Sequence, residues 1–413
     1  MPAFASDSGN AGGIFTWNGV TYKIVSNTLY SYDLNGTATS IGTILGSNIA
    51  TFAATATQMV ICRNGRVYSY DGTTLALETD ADFETPEFVD LINEQAIYDG
   101  DNNRFGISDV RALATLNALN TAASVGVNTG SLKRIYVFGE TIYYFFDNYV
   151  YQYWNSGVGN PPVDRINNST TLVGTLEPRS IAHNQNFMYW LGSDSTVYRT
   201  QAGEAQKVTT IPRGTAFRTQ DLTNAHGLCW SSRGQEFYSI YFPRIKETWV
   251  YNEQGGWFQL TYKSTEEGIP LTGYTENYSK QLFEVEGDIL ELDDDVYQVD
   301  SQQMIRERTS DKITARVFGR QYAKREVEHN KITVLAEIIG LVDEKAVLVL
   351  GISDDRGETW DYINIVGDFL DKEQYLFELD DLGTAYDRRY RLRVSGNYKA
   401  SIQGGSLEVE LGI

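Results

Sequence analysis

The residues best spaced for chemistry lie in "SDDRGETW" (353–360), where Ser353, Asp355, Gly357, Thr359 and Trp360 follow the Asp-box order Ser-x-Asp-x-Gly-x-Thr-Trp. With a second acid at a separation of roughly 5–10 Å, such a carboxylate could serve glycoside hydrolysis. The residue types point elsewhere. Asp355 suits a tight turn, Gly357 supplies a positive φ and Trp360 packs beneath, so the motif reads as a hairpin clamp.

A second candidate is "DGDNNRFG" (99–106), whose Asp99, Asp101 and Asn103 resemble the start of a calcium loop. Its sixth place lacks Gly, and Val110 stands where a bidentate Glu is needed, so it reads as a hairpin turn. Asp293, Asp294 and Asp295 in "ELDDDVYQVD" could gather a cation, but a solvated acidic loop is the simpler reading. His183, His226 and His329 stand alone, with no HExxH, nucleophile elbow, Walker loop or GxGxxG anywhere. Cys62 and Cys229 lie in apolar runs and read as buried free thiols. No catalytic residue, metal ligand or cofactor is assigned. In "RRYRLRV" (388–394), Arg389, Arg391 and Arg393 share one strand face opposite Tyr390, Leu392 and Val394. That face is either a solvated edge or a basic strip that docks an acidic partner.

These residues sit on elements of one kind. "GVTYKIVSNTLYSYDLNG" (19–36), "QMVICRNGRVYSYDG" (58–72) and "EFYSIYFPRIKETWVYN" (236–252) are hairpins of one grammar, and four similar units lie among residues 94–201 and 281–294. Tyr30, Tyr68, Phe105, Tyr151, Tyr198, Val250 and Leu290 serve as matching anchors, spaced 37 to 52 residues apart. A loose hairpin repeat of this length predicts a β-propeller. Six blades are preferred, with one hairpin shared in ring closure; seven is the alternative. "SDVRALATLNALNTAA" (108–123), with leucines at 113, 116 and 119, predicts the chain's one helix. From residue 305 onward, short strands separated by charged turns predict a β-sandwich. The chain is therefore expected to be all-β, with a propeller over 1–304 and a sandwich over 305–413.

Composition narrows the function. The 413 residues carry a formal charge of −20, and residues 1–300 hold 18 Lys+Arg against 34 Asp+Glu, a net of −16. Such a surface argues against wrapping nucleic acid, which needs cations to displace counterions, though not against DNA passing nearby. The N-terminus lacks the basic and apolar regions of a signal peptide, and no apolar run reaches the length of a membrane span.

The order of motifs then resembles one family, the packaged-DNA stabilisation proteins (tail hub, or nozzle) of short-tailed bacteriophages. Phe237, Tyr238, Phe242, Pro243, Thr248, Trp249, Tyr251, Gly256 and Trp257 fit its signature, with Gln235 in place of the family His. "YQYWNSGVGNPP" (151–162), "MYWLGSDSTVYR" (188–199) and the stretch from Gly287 to Ser310 continue the resemblance. The polar leader expected before the first blade is very short here.

The resemblance implies a structural, non-enzymatic virion protein, made in the host cytoplasm. It would form a homohexamer, a sixfold ring below the portal and head-to-tail adaptor. Needle, spike or fibre proteins would be its other partners, with genomic DNA passing transiently through the channel. The alternatives are a sugar-binding or glycoside-hydrolysing β-propeller, suggested by the Asp box that sialidases also carry, and a WD40-like scaffold. The first lacks clustered blade-end arginines, with five Lys+Arg in residues 1–130; the second lacks repeated Gly-His and Trp-Asp signatures.

Overall fold

The computed structural model describes residues 3–6, 9–123, 130–167, 169–201, 204–209, 217–262, 267–293, 298–299, 302–303, 305–310, 316–317, 320–321, 326–339, 347–355, 357–371, 373–395 and 399–411. Two compact units emerge: Ala3–Leu260 with Glu267–Leu292, and Met1–Pro2, Thr261–Glu266 and Asp293–Ile413.

Turn chemistry explains the strands of the larger unit. Asn18-Gly19, Asn64-Gly65, Arg233-Gly234 and Glu286-Gly287 all have positive φ at both residues. Two such residues form the type I′ turn, whose twist matches that of paired strands. Among the described residues this unit holds seven four-stranded antiparallel sheets. Blades 1 to 6 span 11–43, 51–77, 89–123, 132–165, 182–207 and 226–259. Blade 7 combines Leu271–Asn277, Lys280–Val285 and Asp288–Glu291 with Ala3–Ala5 from the opposite end of the chain.

The preference for six blades is thereby corrected to the alternative of seven. Ring closure shares no hairpin; the N-terminal strand adds the missing fourth strand of blade 7, pairing Ala3 with Leu290 and Ala5 with Ile289.

Blades stack because their strands are apolar on both faces. In Met59–Arg63, Met59 and Ile61 pack toward blade 1 with Ile24 and Leu29, whereas Val60 and Cys62 pack toward blade 3 with Val89 and Tyr98. Each such fully buried side chain contributes about 1.5–3 kcal/mol. Cys62 is thus a buried free thiol and Cys229 a partly buried one, and burial pushes both well above their ordinary pKa.

The closing seam between blades 7 and 1 is held differently. Phe4 packs with Ile14, Tyr32, Leu282 and Ile289. The Tyr278 hydroxyl donates to Tyr32 O at 2.8 Å, and Asn277 Nδ2 donates to Gly19 O at 3.1 Å and Thr21 Oγ1 at 2.9 Å. Lys23 and Glu284 are both fully buried here. Glu284 Oε1 accepts from the amides of Gly12 and Gly13 at 3.3 and 3.4 Å, and Oε2 accepts from Thr272 Oγ1 at 3.2 Å. Lys23 Nζ donates to Gly287 O. Burial raises the Glu284 pKa, and the Lys23 charge is the largest influence opposing that rise.

The helix expected over 108–123 is not formed; its place is taken by the outer strand of blade 3, Ala112–Ala123. The leucine spacing misled because the strand is bulged against its partner. Asp109 pairs with Ala112, Ser108 with Leu116 and Gly106 with Thr121, so extra residues loop out between pairs. Bulges shift the in–out alternation, which lets Leu113 and Leu116 both point inward while Leu119 remains 65% exposed.

Among the described residues, the smaller unit places two four-stranded sheets around one core. The first runs in the order Ile305–Thr309, Arg389–Ser395, Val347–Ser353, Asp361–Val366; the second runs Asp368–Asp371, Gln374–Ala385, Val327–Ile339, Lys399–Leu411. Ile332, Val334 and Phe377 from one sheet meet Leu348, Leu350, Tyr390 and Val394 from the other, which makes a sandwich.

Candidate functional site

The Asp box joins Val347–Ser353 to Asp361–Val366. Ser353 Oγ donates to Asp355 Oδ1 at 2.7 Å and accepts from the Gly357 amide at 2.7 Å. Asp355 also accepts from the Thr359 amide at 2.9 Å and from the Thr359 hydroxyl, which hold its carboxyl well below the usual range. Gly357 has φ +96°, and Trp360 Nε1 donates to its carbonyl at 3.2 Å. The carboxylate's acceptors are thus engaged within its own turn.

Arg389, Arg391 and Arg393 lie on an interior strand, between Ile305–Thr309 and Val347–Ser353, rather than on an edge. Tyr390 and Val394 are buried in the sandwich core. On the other face, the Arg391 guanidinium lies 4.0 Å from the Trp360 ring centre and donates to Tyr362 Oη at 3.1 Å, and Arg393 lies 5.1 Å from the Tyr362 ring. Gly357 leaves room beside the Arg389 guanidinium. Arg391 and Arg393 are engaged by aromatic rings of the Asp-box hairpin and its following strand.

The calcium-loop candidate dissolves into structure. Asp99 lies within Gln95–Gly100, where its Oδ1 accepts from the amides of Glu87 and Phe88 at 3.0 and 2.7 Å. Burial pushes its carboxyl up to about 7. Asn102 and Asn103 turn the chain with positive φ. Among the described residues no group of His, Cys, Asp and Glu is arranged to hold a metal ion. Asp293 is described, whereas Asp294 and Asp295 lie outside the described residues. His329 belongs to the sandwich, where Nδ1 meets the Tyr390 hydroxyl at 2.8 Å and burial lowers its pKa to about 4.

The arrangement that sequence reasoning missed lies on the propeller axis. The first strands of the blades ring that axis, and a polar cluster gathers where several of them begin. Asp90 of blade 3 accepts from Leu91 N and Val137 N, both at 2.8 Å. Arg134 of blade 4 donates to Pro178 O at 2.8 Å and stacks on Phe88 and Tyr136, 4.8 and 4.7 Å from their ring centres. The Tyr136 hydroxyl meets His183 Nδ1 at 2.7 Å.

Arg179, in the turn Pro178–Ser180 before the first strand of blade 5, reaches past blade 4 to the Phe88 ring of blade 3, 5.2 Å from its centre. Its charge is opposed by burial first and then by Arg134, and its pKa falls to about 10. His226, the first residue of its blade 6 strand, is lowered to about 4 by burial and then by Arg179. Burial and Arg134 likewise lower His183. The one sequence signal was a pair of cations, Lys133 and Arg134, opening a strand that is otherwise apolar and aromatic, "LKRIYVF". Nothing in a linear spacing of 45 residues joins Arg134 to Arg179; the ring does.

Among the described residues, no helix is long and apolar enough to cross a membrane. The family described as Bacteriophage P22 Gp10, beta-propeller matches residues 3–283. Among solved structures, BBS1N in complex with ARL6DN is similar at 12% identity, with 70% of this chain and 92% of that one covered and a TM-score of 0.48. The Pan2 WD40 domain of Neurospora crassa is similar at 8% identity, over 68% of this chain and 88% of that one, with a TM-score of 0.46. These two likenesses are too distant to carry an argument. No curated protein matches the chain.

Proposed function

This chain belongs to the phage-stabilisation family described as Bacteriophage P22 Gp10, beta-propeller, and from that premise we propose that it is a tail hub of a short-tailed bacteriophage. Membership makes it a phage structural protein of the DNA-stabilisation class and a virion component. In the proposed role, six copies form a ring below the portal and adaptor, continue the DNA channel, help retain packaged DNA and carry needle or fibre proteins. The role is structural and needs no catalysis.

The observation that carries this reading is the family match over residues 3–283, which runs through blades 1 to 6 and into the strand Lys280–Val285 of blade 7, on a chain of strongly negative charge. A ring of chains each at −20 surrounds its channel with negative charge. Within a Debye length of about 8 Å such a wall repels phosphates, so DNA slides without being trapped. Basic residues along the wall of the assembled ring would contradict that part. The arginine face of the sandwich, already stacked on aromatic rings, is proposed to dock a partner's acidic surface through its outward edges.

Mass photometry with and without the phage's portal–adaptor complex tests the proposal. The expected result is a gain of about six chains that requires the adaptor, consistent with a closed ring of heterologous contacts. No gain from a folded protein overturns the hub. Saturable binding on a glycan array would then favour the sugar-binding alternative.

A further inference from the structure

The tunnel cluster contains one feature that neither the fold nor the proposed hub requires. Arg179 reaches far enough to stack on the Phe88 ring beside blade 3, the ring that Arg134 of blade 4 also stacks on, and it feels the charges of Arg134, Glu87, Asp99 and Arg63. It in turn perturbs His226 of blade 6.

Among the described residues, none accepts a hydrogen bond from Arg179. The neighbouring carboxylates have other hydrogen-bond donors: Asp90 the amides of Leu91 and Val137, Asp99 those of Glu87 and Phe88, Glu87 the Asn48 Nδ2 at 3.3 Å, and Glu177 the backbone of Asn224. Arg134, the second cation on Phe88, spends Nη1 on Pro178 O, and its buried Nε lacks a partner. Two guanidiniums over one aromatic ring repel each other, and the partly exposed Arg179 keeps its five fork-shaped donors available to a ligand.

We propose that Arg179 and Arg134 form an oxyanion site across the propeller tunnel, one that takes a phosphate-class anion between guanidinium forks and against the His226 imidazole. A tetrahedral oxyanion accepts the parallel donors that a guanidinium presents, and its charge offsets the repulsion between the two arginines. The protein's overall −20 charge makes the site selective, because diffuse anion binding is repelled everywhere else. The site lies within the propeller and does not depend on the proposed hub, so failure of one leaves the other standing.

Three histidines make the test simple. The His226 imidazole resonance, identified by its loss in His226→Gln, is followed at neutral pH while inorganic phosphate replaces chloride at constant ionic strength. The expected result is a saturable shift of His226 with no change at His329 of the sandwich. The Arg179→Gln variant should weaken phosphate binding at least about tenfold, the cost of losing a charge-assisted pair of bonds. Its near-UV spectrum and melting in chloride report whether the fold is kept, and Arg179→Lys, which keeps the charge but loses the fork, should bind with intermediate affinity. A nucleoside monophosphate arm tells a phosphomonoester from free phosphate, and either result supports the site. No saturable shift in the wild type, or an equal shift in a folded Arg179→Gln protein, overturns it.

Discussion

Replacing Lys23 with Met tests whether the ring is latched electrostatically where blade 7 meets blade 1. Lys23 and Glu284 are both fully buried, and Met keeps most of the lysine's volume while removing its charge. Removing one partner of a buried pair costs about 3–5 kcal/mol, because the other charge is left uncompensated. The amides of Gly12 and Gly13 and the Thr272 hydroxyl still bond the Glu284 carboxylate, which places the expected loss near the lower end, about 3 kcal/mol. In a propeller unit of this size, at about 2.1 cal/mol/K of unfolding entropy per residue, that lowers the melting temperature by roughly 5 °C.

The loss should depend on pH in a defined direction. The folded pKa of Glu284 is already raised by burial, and removing Lys23 raises it further. A raised carboxyl pKa means that stability is fully present below the unfolded value of about 4.3 and is lost as pH rises through the folded value. The variant should therefore be hurt less at pH 5 than at pH 8. Differential scanning calorimetry at both values, with Glu284→Gln and the Lys23→Met/Glu284→Gln pair completing a double-mutant cycle, separates the coupling from each single loss. The double variant should recover part of the loss. If Lys23→Met melts within about 1 °C of wild type at pH 8, or if the double variant is no better than the single one, the latch is not electrostatic.

Three further outcomes follow from the same geometry. Leu113→Ala and Leu116→Ala should each cost about 2–5 kcal/mol in urea unfolding, whereas Leu119→Ala should stay within about 0.5, a split that an amphipathic helix with all three leucines inward could not give. Gly36 has φ +79°, and a Cβ there would stand 1.9 Å from Phe4 O, so Gly36→Ala should dislodge the N-terminal strand and expose it to limited proteolysis. Because the Asp355 pKa is depressed, its turn stabilises the fold above the unfolded value and loses that stability as pH falls through the folded one. Asp355→Ala should flatten that acid limb in the near-UV signal of Trp360.

How far the sequence could be read depended on which interactions were local. Hairpins were visible because turns such as Asn64-Gly65 and apolar runs such as the one within Met59–Arg63 are encoded within a few residues. The fourth strands were not, since Leu75–Leu77 and Gln206–Lys207 are short and largely exposed and carry little pattern. Ala3–Ala5 is as short as Leu75–Leu77, and its partner lies at the far end of the propeller sequence, which is why six blades were preferred over seven. The bulged strand over 112–123 imitated helical spacing. The Asp box was legible as a turn because all its bonds fall within four residues. The axial arginines were illegible for the opposite reason: each comes from a different blade, and only closure of the ring brings them together.

That closure also sets a clock. Ala3–Ala5 leaves the ribosome well before its partner Asp288–Glu291, which is made some 285 residues later. At about 5–20 residues per second the wait is roughly 15–60 s. Throughout it the growing protein is an open arc, with one bare blade face at each end and a short strand unclaimed. A nascent chain of this kind is most exposed to mispairing with a sibling on the same message just before its seventh blade emerges. Slowing translation before residue 288 should lower the yield of closed rings, and supplying the segment faster should raise it.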